Sequence, residues 1–187
     1  LMSDEGIDNF KYARKKAAQK LGINNEHAYP DNEEILAQLK IHQSLFQAST
    51  HELVLHDLRT TALKAMKFFQ DFKPRLTGSV LLGHANKHSG IDILLMADSP
   101  EEIALALLKH DIPYQLLDWK LFFSKNKVHT VPVYQFYADE HKVNLIVLSE
   151  NQRKIVPLSP VDGHTMQRAT IKQLETLIQE TPQANYL

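Results

Sequence analysis

The chain has 187 residues, a formal net charge of −1 at pH 7, 43% hydrophobic and 23% charged residues, and no cysteine. That composition is globular and long enough for one domain with its own core plus a helical extension. It excludes disulfides, thiolate catalysis and zinc–thiolate sites, and it gives no broad electrostatic drive toward nucleic acid or an anionic membrane. No apolar run approaches the ~20 residues that cross a bilayer, and the polar N-terminus is unlike a signal peptide. A cytoplasmic protein without a membrane partner is expected.

The first segment places Phe10, Ala13, Ala17 and Leu21 at helical spacing, with Gly22 as its stop. Pro30-Asp31 opens a second helix, capped by Asp31 with Glu34 reaching back and striped by Ile35, Leu39 and Phe46. Ser49 and Glu52 give a similar start to a third helix, whose face carries Leu55, Leu58, Ala62, Met66 and Phe69. It should stop near Phe72, because Pro74 disfavours helix at the residue before it.

The pattern then changes. Leu76–Leu82 and Ile91–Ala97 are apolar runs of strand length. Ser99-Pro100-Glu101-Glu102 starts a helix whose inward residues are Ile103, Leu107 and Leu108. Tyr114–Phe123, Val128–Tyr137 and Lys142–Leu148 read as an antiparallel meander, with turns at 124–127 and 138–141. Residues 158–163 have loop chemistry, and a last helix runs from about Ile171 to Glu180 before Pro182. The expected class is α+β, a mixed sheet flanked by helices. Residues 1–72 form an N-terminal helical region and residues 73–187 the α+β domain.

Chemistry concentrates between Gly78 and Asp92, in GSVLLGHANKHSGID. Gly78 lets backbone approach a phosphate closely, and Ser79 offers a hydroxyl. A short helix beginning near Val80 would add free amides favouring an anion. Asp92 lies inside the next apolar run, on the opposite face from Ile91 and Ile93. If the two runs are neighbouring strands, a divalent cation can bridge the Asp92 carboxylate and a phosphate on the turn.

In these residues the chain resembles the nucleotidyltransferase superfamily, of the DNA polymerase beta-like fold. The matching features are Gly78-Ser79, a spacer of suitable length over Val80–Ser89, and Asp92 at the second acidic position. The run PRLTGSVLLGHANKHSGIDILLMADSPEE, the helical first half and the late PLSPVDG segment (157–163) are similar to a proteobacterial nucleotidyltransferase-like group. The resemblance implies NMP transfer from an NTP to an acceptor hydroxyl, with two Mg²⁺ ions held by three carboxylates. It further implies Gly78, Ser79, Lys87 and Ser89 at the nucleotide phosphates and Asp92 on metal. Two departures stand against activity. Gly90 occupies the first acidic position and Asn144, in KVNLIVL, the position of the third. One carboxylate leaves most of the charge of two Mg²⁺ ions unmatched, so transfer should be weak or lost. The alternatives are a non-catalytic nucleotide-binding or protein-interaction module, and a shifted metal site at Asp98, Glu101 or Glu150.

Other features have plainer readings. His84 and His88 have zinc-like spacing but no third ligand, and are expected as exposed spacer residues. Lys11, Arg14, Lys15, Lys16 and Lys20 form the wet face of the first helix. Trp119, Phe122, Phe123, Tyr134, Phe136 and Tyr137 fit sheet packing better than base stacking, so nucleic acid is not an expected partner.

Overall fold

Local signals account for most element boundaries. The computed structural model describes residues 2, 10–23, 29–46, 48–124, 127–149, 152, 156–160 and 163–180. Helix α1 spans Phe10–Leu21 and ends at Gly22 with φ 68°. Ahead of α2 (Asn32–Phe46), Asp31 Oδ1 accepts from the Glu34 amide at 2.8 Å, while the Asp31 amide donates to Glu34 Oε2 at 2.9 Å. This is a reciprocal capping box, as expected from the sequence. Helix α3 runs Ala48–Phe68 and tightens into a 3₁₀ turn at Gln70–Phe72. Lys73, at φ 49°, then turns the chain into Pro74. The side chains of Phe46 and Ser49 lie outside the described residues.

Five strands follow: β1 (Arg75–Thr77), β2 (Ile91–Met96), β3 (Gln115–Ser124), β4 (Lys127–Ala138) and β5 (His141–Leu148). They form a mixed sheet in the order β1-β2-β5-β4-β3, in which only the β2–β5 pair is parallel. The class is α+β, as the sequence indicates. One run reads differently. Leu76–Leu82 is not a single strand, because β1 stops at Thr77 and α4 (Gly78–Leu82) begins at once. Gly78 has φ +73°, which breaks the extended backbone and starts the helix two residues earlier than the Val80 expected. Helix α5 (Pro100–Lys109) opens with the Ser99 amide donating to Glu102 Oε1 at 3.0 Å. Helix α6 spans Ile171–Glu180. In the 138–141 turn, Asp139 takes the left-handed conformation at φ 54°.

The sheet has two unlike faces. One carries Ile91, Ile93, Leu95, Val143, Leu145 and Val147, and packs against Leu58 and Met66 of α3, Phe69 just after it, Ile103 of α5 and Leu174 of α6. Helix α3, although it belongs to the helical first half, is thus a wall of the sheet's core. The other face carries Leu94, Met96, Val131, Val133, Ile146 and Leu148, with Met166 packed against it. Chain from the 156–170 region reaches both edges of the sheet. The Leu158 amide donates to Phe122 O at 2.6 Å on β3, and Leu76 and Ala169 exchange two 2.9 Å backbone bonds on β1. Asn32, at the start of α2, donates to Pro160 O at 2.9 Å.

Candidate functional site: a hydrogen-bonded amide row beside one carboxylate

Register brings the polar residues together. Thr77 is opposite Asp92, Asp92 opposite Asn144, and Asn144 opposite Gln135, so one row crosses β1, β2, β5 and β4. Gln135 Nε2 donates to Asn144 Oδ1 at 2.8 Å, and Asn144 Nδ2 donates to Asp92 Oδ1 at 2.8 Å. The direction of this chain follows from charge. An ionised carboxylate only accepts, so Asn144 must turn its NH₂ toward Asp92. Its carbonyl then faces β4 and requires a donor, which Gln135 supplies.

At the other end of the row, Asp92 abuts the turn into α4. A Cβ on Gly78 would lie 2.8 Å from Asp92 Oδ2. Glycine is needed here for two reasons, the positive φ and the closeness of the carboxylate. Thr77 precedes α4 with φ −143°, but its hydroxyl does not cap the helix and donates instead to Gln167 O at 2.9 Å. Ser79 is half-buried in the first turn, and its carbonyl accepts from the Gly83 and His84 amides at 2.9 and 3.1 Å.

Gly90 explains why Asn144 can sit as it does. A Cβ at 90 would lie 2.6 Å from Asn144 Nδ2 and 3.7 Å from Lys142 Cε. The room that a side chain at 90 would use is therefore taken by the Asn144 amide, with the Lys142 stem in ordinary contact beside it. A carboxylate at 90 and the present Asn144 rotamer are mutually exclusive.

The remaining expected site residues are more dispersed. Ser89 is buried and ties the spacer together, its hydroxyl accepting from the Asn86 amide at 3.0 Å. Lys87 is exposed on the same loop. His84 and His88 part company. His88 is exposed, whereas His84 is only 7% exposed, which corrects the expectation that both would be solvated. Helix α4 turns His84 inward toward α2 and α3. Burial, then Lys40 and His51, lowers the His84 pKa to about 4, and burial also lowers that of His51. Arg59 of α3, also buried, holds α4 in place by donating from Nε to Val80 O at 3.2 Å and from Nη2 to Leu81 O at 3.4 Å.

Asp98 is exposed past the far end of β2, ~20 Å along the strand direction from Asp92. Glu101 is exposed in the first turn of α5, where hydrogen bonds from its own backbone and from Ser99 lower its carboxyl pKa. Neither joins the row, and Glu150 lies outside the described residues. A groove of about 510 Å³, with Leu81, Arg168, Gln173, Thr176, Leu177 and Glu180 among its lining, sits between α4 and α6 rather than at Asp92.

The donor set does not fit a pair of Mg²⁺ ions. Magnesium takes oxygen ligands, and here an N–H points at the carboxylate where a second oxygen would be required. Oxygen could face the metal only if Asn144 flipped, which would strand Gln135 unless it flipped too. Among the described residues, no group of three His, Cys, Asp or Glu side chains could hold a metal. Sequence reasoning missed Gln135 and Lys142. The signal for Gln135 was a lone amide between Tyr134 and Phe136 in an otherwise apolar strand, and for Lys142 its position two residues before Asn144 on the same face. Compared with protein-family models and with curated proteins, the chain matches none.

Proposed function

We propose that this chain is a nucleotidyltransferase-fold protein in which NMP transfer from NTP with Mg²⁺ is weak or absent, and in which the corner at Asp92 serves to bind a nucleotide. The supporting observation is the hydrogen bond from Asn144 Nδ2 to Asp92 Oδ1 at 2.8 Å, where two-metal chemistry needs a further carboxylate. Losing an outer partner of a metal ligand typically costs ~10–100-fold in affinity or activity, and losing a direct ligand costs at least as much. With Gly90 and Asn144 in place of two acids, that cost is incurred twice. The Gly78-Ser79 turn offers the phosphate contact, Lys142 beside Gly90 and Lys87 in the spacer supply positive charge, and Asp92 holds at most one weakly bound Mg²⁺. The proposed setting is the cytoplasm; among the described residues no helix is long and apolar enough to cross a membrane.

Calorimetry with each NTP, with and without Mg²⁺, tests the binding. An enthalpy of binding that is lost in Asp92→Ala supports the reading, and silence with every NTP sinks it. A parallel assay with labelled NTP, Mg²⁺ or Mn²⁺ and candidate acceptor hydroxyls tests the chemistry. Robust transfer that depends on Asp92 would show that the remaining donors suffice.

A further inference from the structure

We infer that the exposed edge of β3 pairs antiparallel with β3 of a second copy of this chain, about a two-fold axis at Trp119. The sheet order ends at β3, so among the described residues this strand pairs with β4 alone, apart from the Leu158 amide at Phe122 O. It runs ten residues, Gln115–Ser124, long for an edge that natural sheets usually shorten or break. Edge proteins commonly protect such strands with charge or proline. Here the exposed charges Asp118 and Lys120 are flanked by large apolar groups, Leu116 58% and Phe122 49% exposed.

Backbone polarity sets which groups are offered. Asp118 faces Pro132 across the β3–β4 ladder. Proline has no N–H, so that pair cannot exchange ladder bonds, and the Asp118 N–H and C=O must point outward. The same alternation turns Leu116, Lys120 and Phe122 outward, and Phe122 O does accept a bond from outside the ladder, from the Leu158 amide at 2.6 Å.

Side chains then choose the register. Leu116, Asp118, Lys120 and Phe122 share one face of β3, giving the order apolar, acidic, basic, apolar. Turned antiparallel on itself about Trp119, this order is self-complementary. Asp118 meets Lys120 of the second copy, a contact that occurs twice as an isologous interface requires, with Leu116 and Phe122 at either end of the pairs. Moving the axis by one residue to Asp118 sets Asp118 against itself and Leu116 against Lys120, so charge selects the Trp119 register. Leu158 occupies the edge at Phe122, so the new ladder ends there and consists mainly of the Asp118–Lys120 pairs flanked by apolar contact. The surface is thus a modest one, and the dimer is expected to be concentration-dependent.

Sedimentation of the full chain up to millimolar concentration tests this, with circular dichroism confirming that each variant keeps its fold. Wild type should pass from 21.4 kDa toward twice that mass. Lys120→Asp should weaken association by about tenfold or more, because like charges then face each other twice. The exchange Asp118→Lys with Lys120→Asp should restore it. A chain that stays monomeric throughout, a dimer indifferent to Lys120→Asp, or an exchange that fails to rescue would each overturn the proposal.

Discussion

Two adjacent rows on one face of the sheet differ in nearly every chemical respect. Asp92, Asn144 and Gln135 form the first, and Leu94, Ile146 and Val133, one step along the same three strands, form the second. Both are shielded from solvent to a large degree: Asn144 is 4% exposed, Ile146 2% and Leu94 0%. The aliphatic row is held by removal of apolar surface from water, which needs no particular partner. The polar row is tolerable only because each buried group finds its complement in order, ending on a carboxylate at the turn into α4. A strand that needed only a core would have continued Leu, Ile and Val through this position. The polar row therefore marks where the sheet trades apolar packing for a hydrogen-bonded chain ending on a carboxylate.

Substitutions that strike the two rows should separate these causes. Leu94→Ala removes fully buried aliphatic volume and should lower the unfolding free energy by ~2–5 kcal/mol, read from urea denaturation at pH 7. The polar groups at the margin of the site respond instead to pH. His84 is neutral in the folded protein because its pKa is depressed to about 4 from 6.5. A histidine so depressed contributes fully above the unfolded value near 6.5, and its contribution declines as pH falls toward 4. Wild type should lose on the order of 2–3 kcal/mol of stability over that window, with His51 adding in the same direction, and His84→Gln should flatten the curve.

Asn144→Ala cuts the polar row in the middle, leaving Gln135 Nε2 without its acceptor and Asp92 Oδ1 without its donor. A loss of ~1–3 kcal/mol is expected. The comparison sharpens if Gln135→Leu is added. The pair should then lose less than the sum of the singles, because the second change removes a group already stranded. Asn144→Asp inverts the electrostatics, setting a carboxylate against Asp92. One of the two acids is then raised in pKa, so this variant should be most stable at low pH and weaken as pH rises through that value. Added Mg²⁺ should recover stability in the variant more than in wild type, as thermal melts would show. At the small end, Lys87→Ala on the exposed spacer should stay within ±0.5 kcal/mol of wild type. Any effect it has should appear in NTP calorimetry alone.

The sequence made the elements legible where the signal is local. The capping box of Asp31 and Glu34, the Ser99-Pro100 helix start, the three long meander strands and the Ile171–Glu180 helix all depend on residues a few positions apart. It also supplied the three residues that matter most to the candidate site, Gly78, Asp92 and Asn144. Two errors share one cause. The strand read through Leu82 and the solvated His84 both ignored the break at Gly78, which opens the five-residue helix Gly78–Leu82 and swings His84 under α3.

By itself, then, the sequence determined most of the helices and strands and the side chains that stand at positions 90, 92 and 144, because periodicity, caps and residue identity are written locally. Only the tertiary structure decided which side chains meet around Asp92. Gln135 and Asn144 are nine residues apart on antiparallel strands, and Asn144 lies 52 residues from Asp92. Their hydrogen bonds exist because parallel and antiparallel pairing put them in one row, and pairing register is a property of the whole sheet rather than of any one strand.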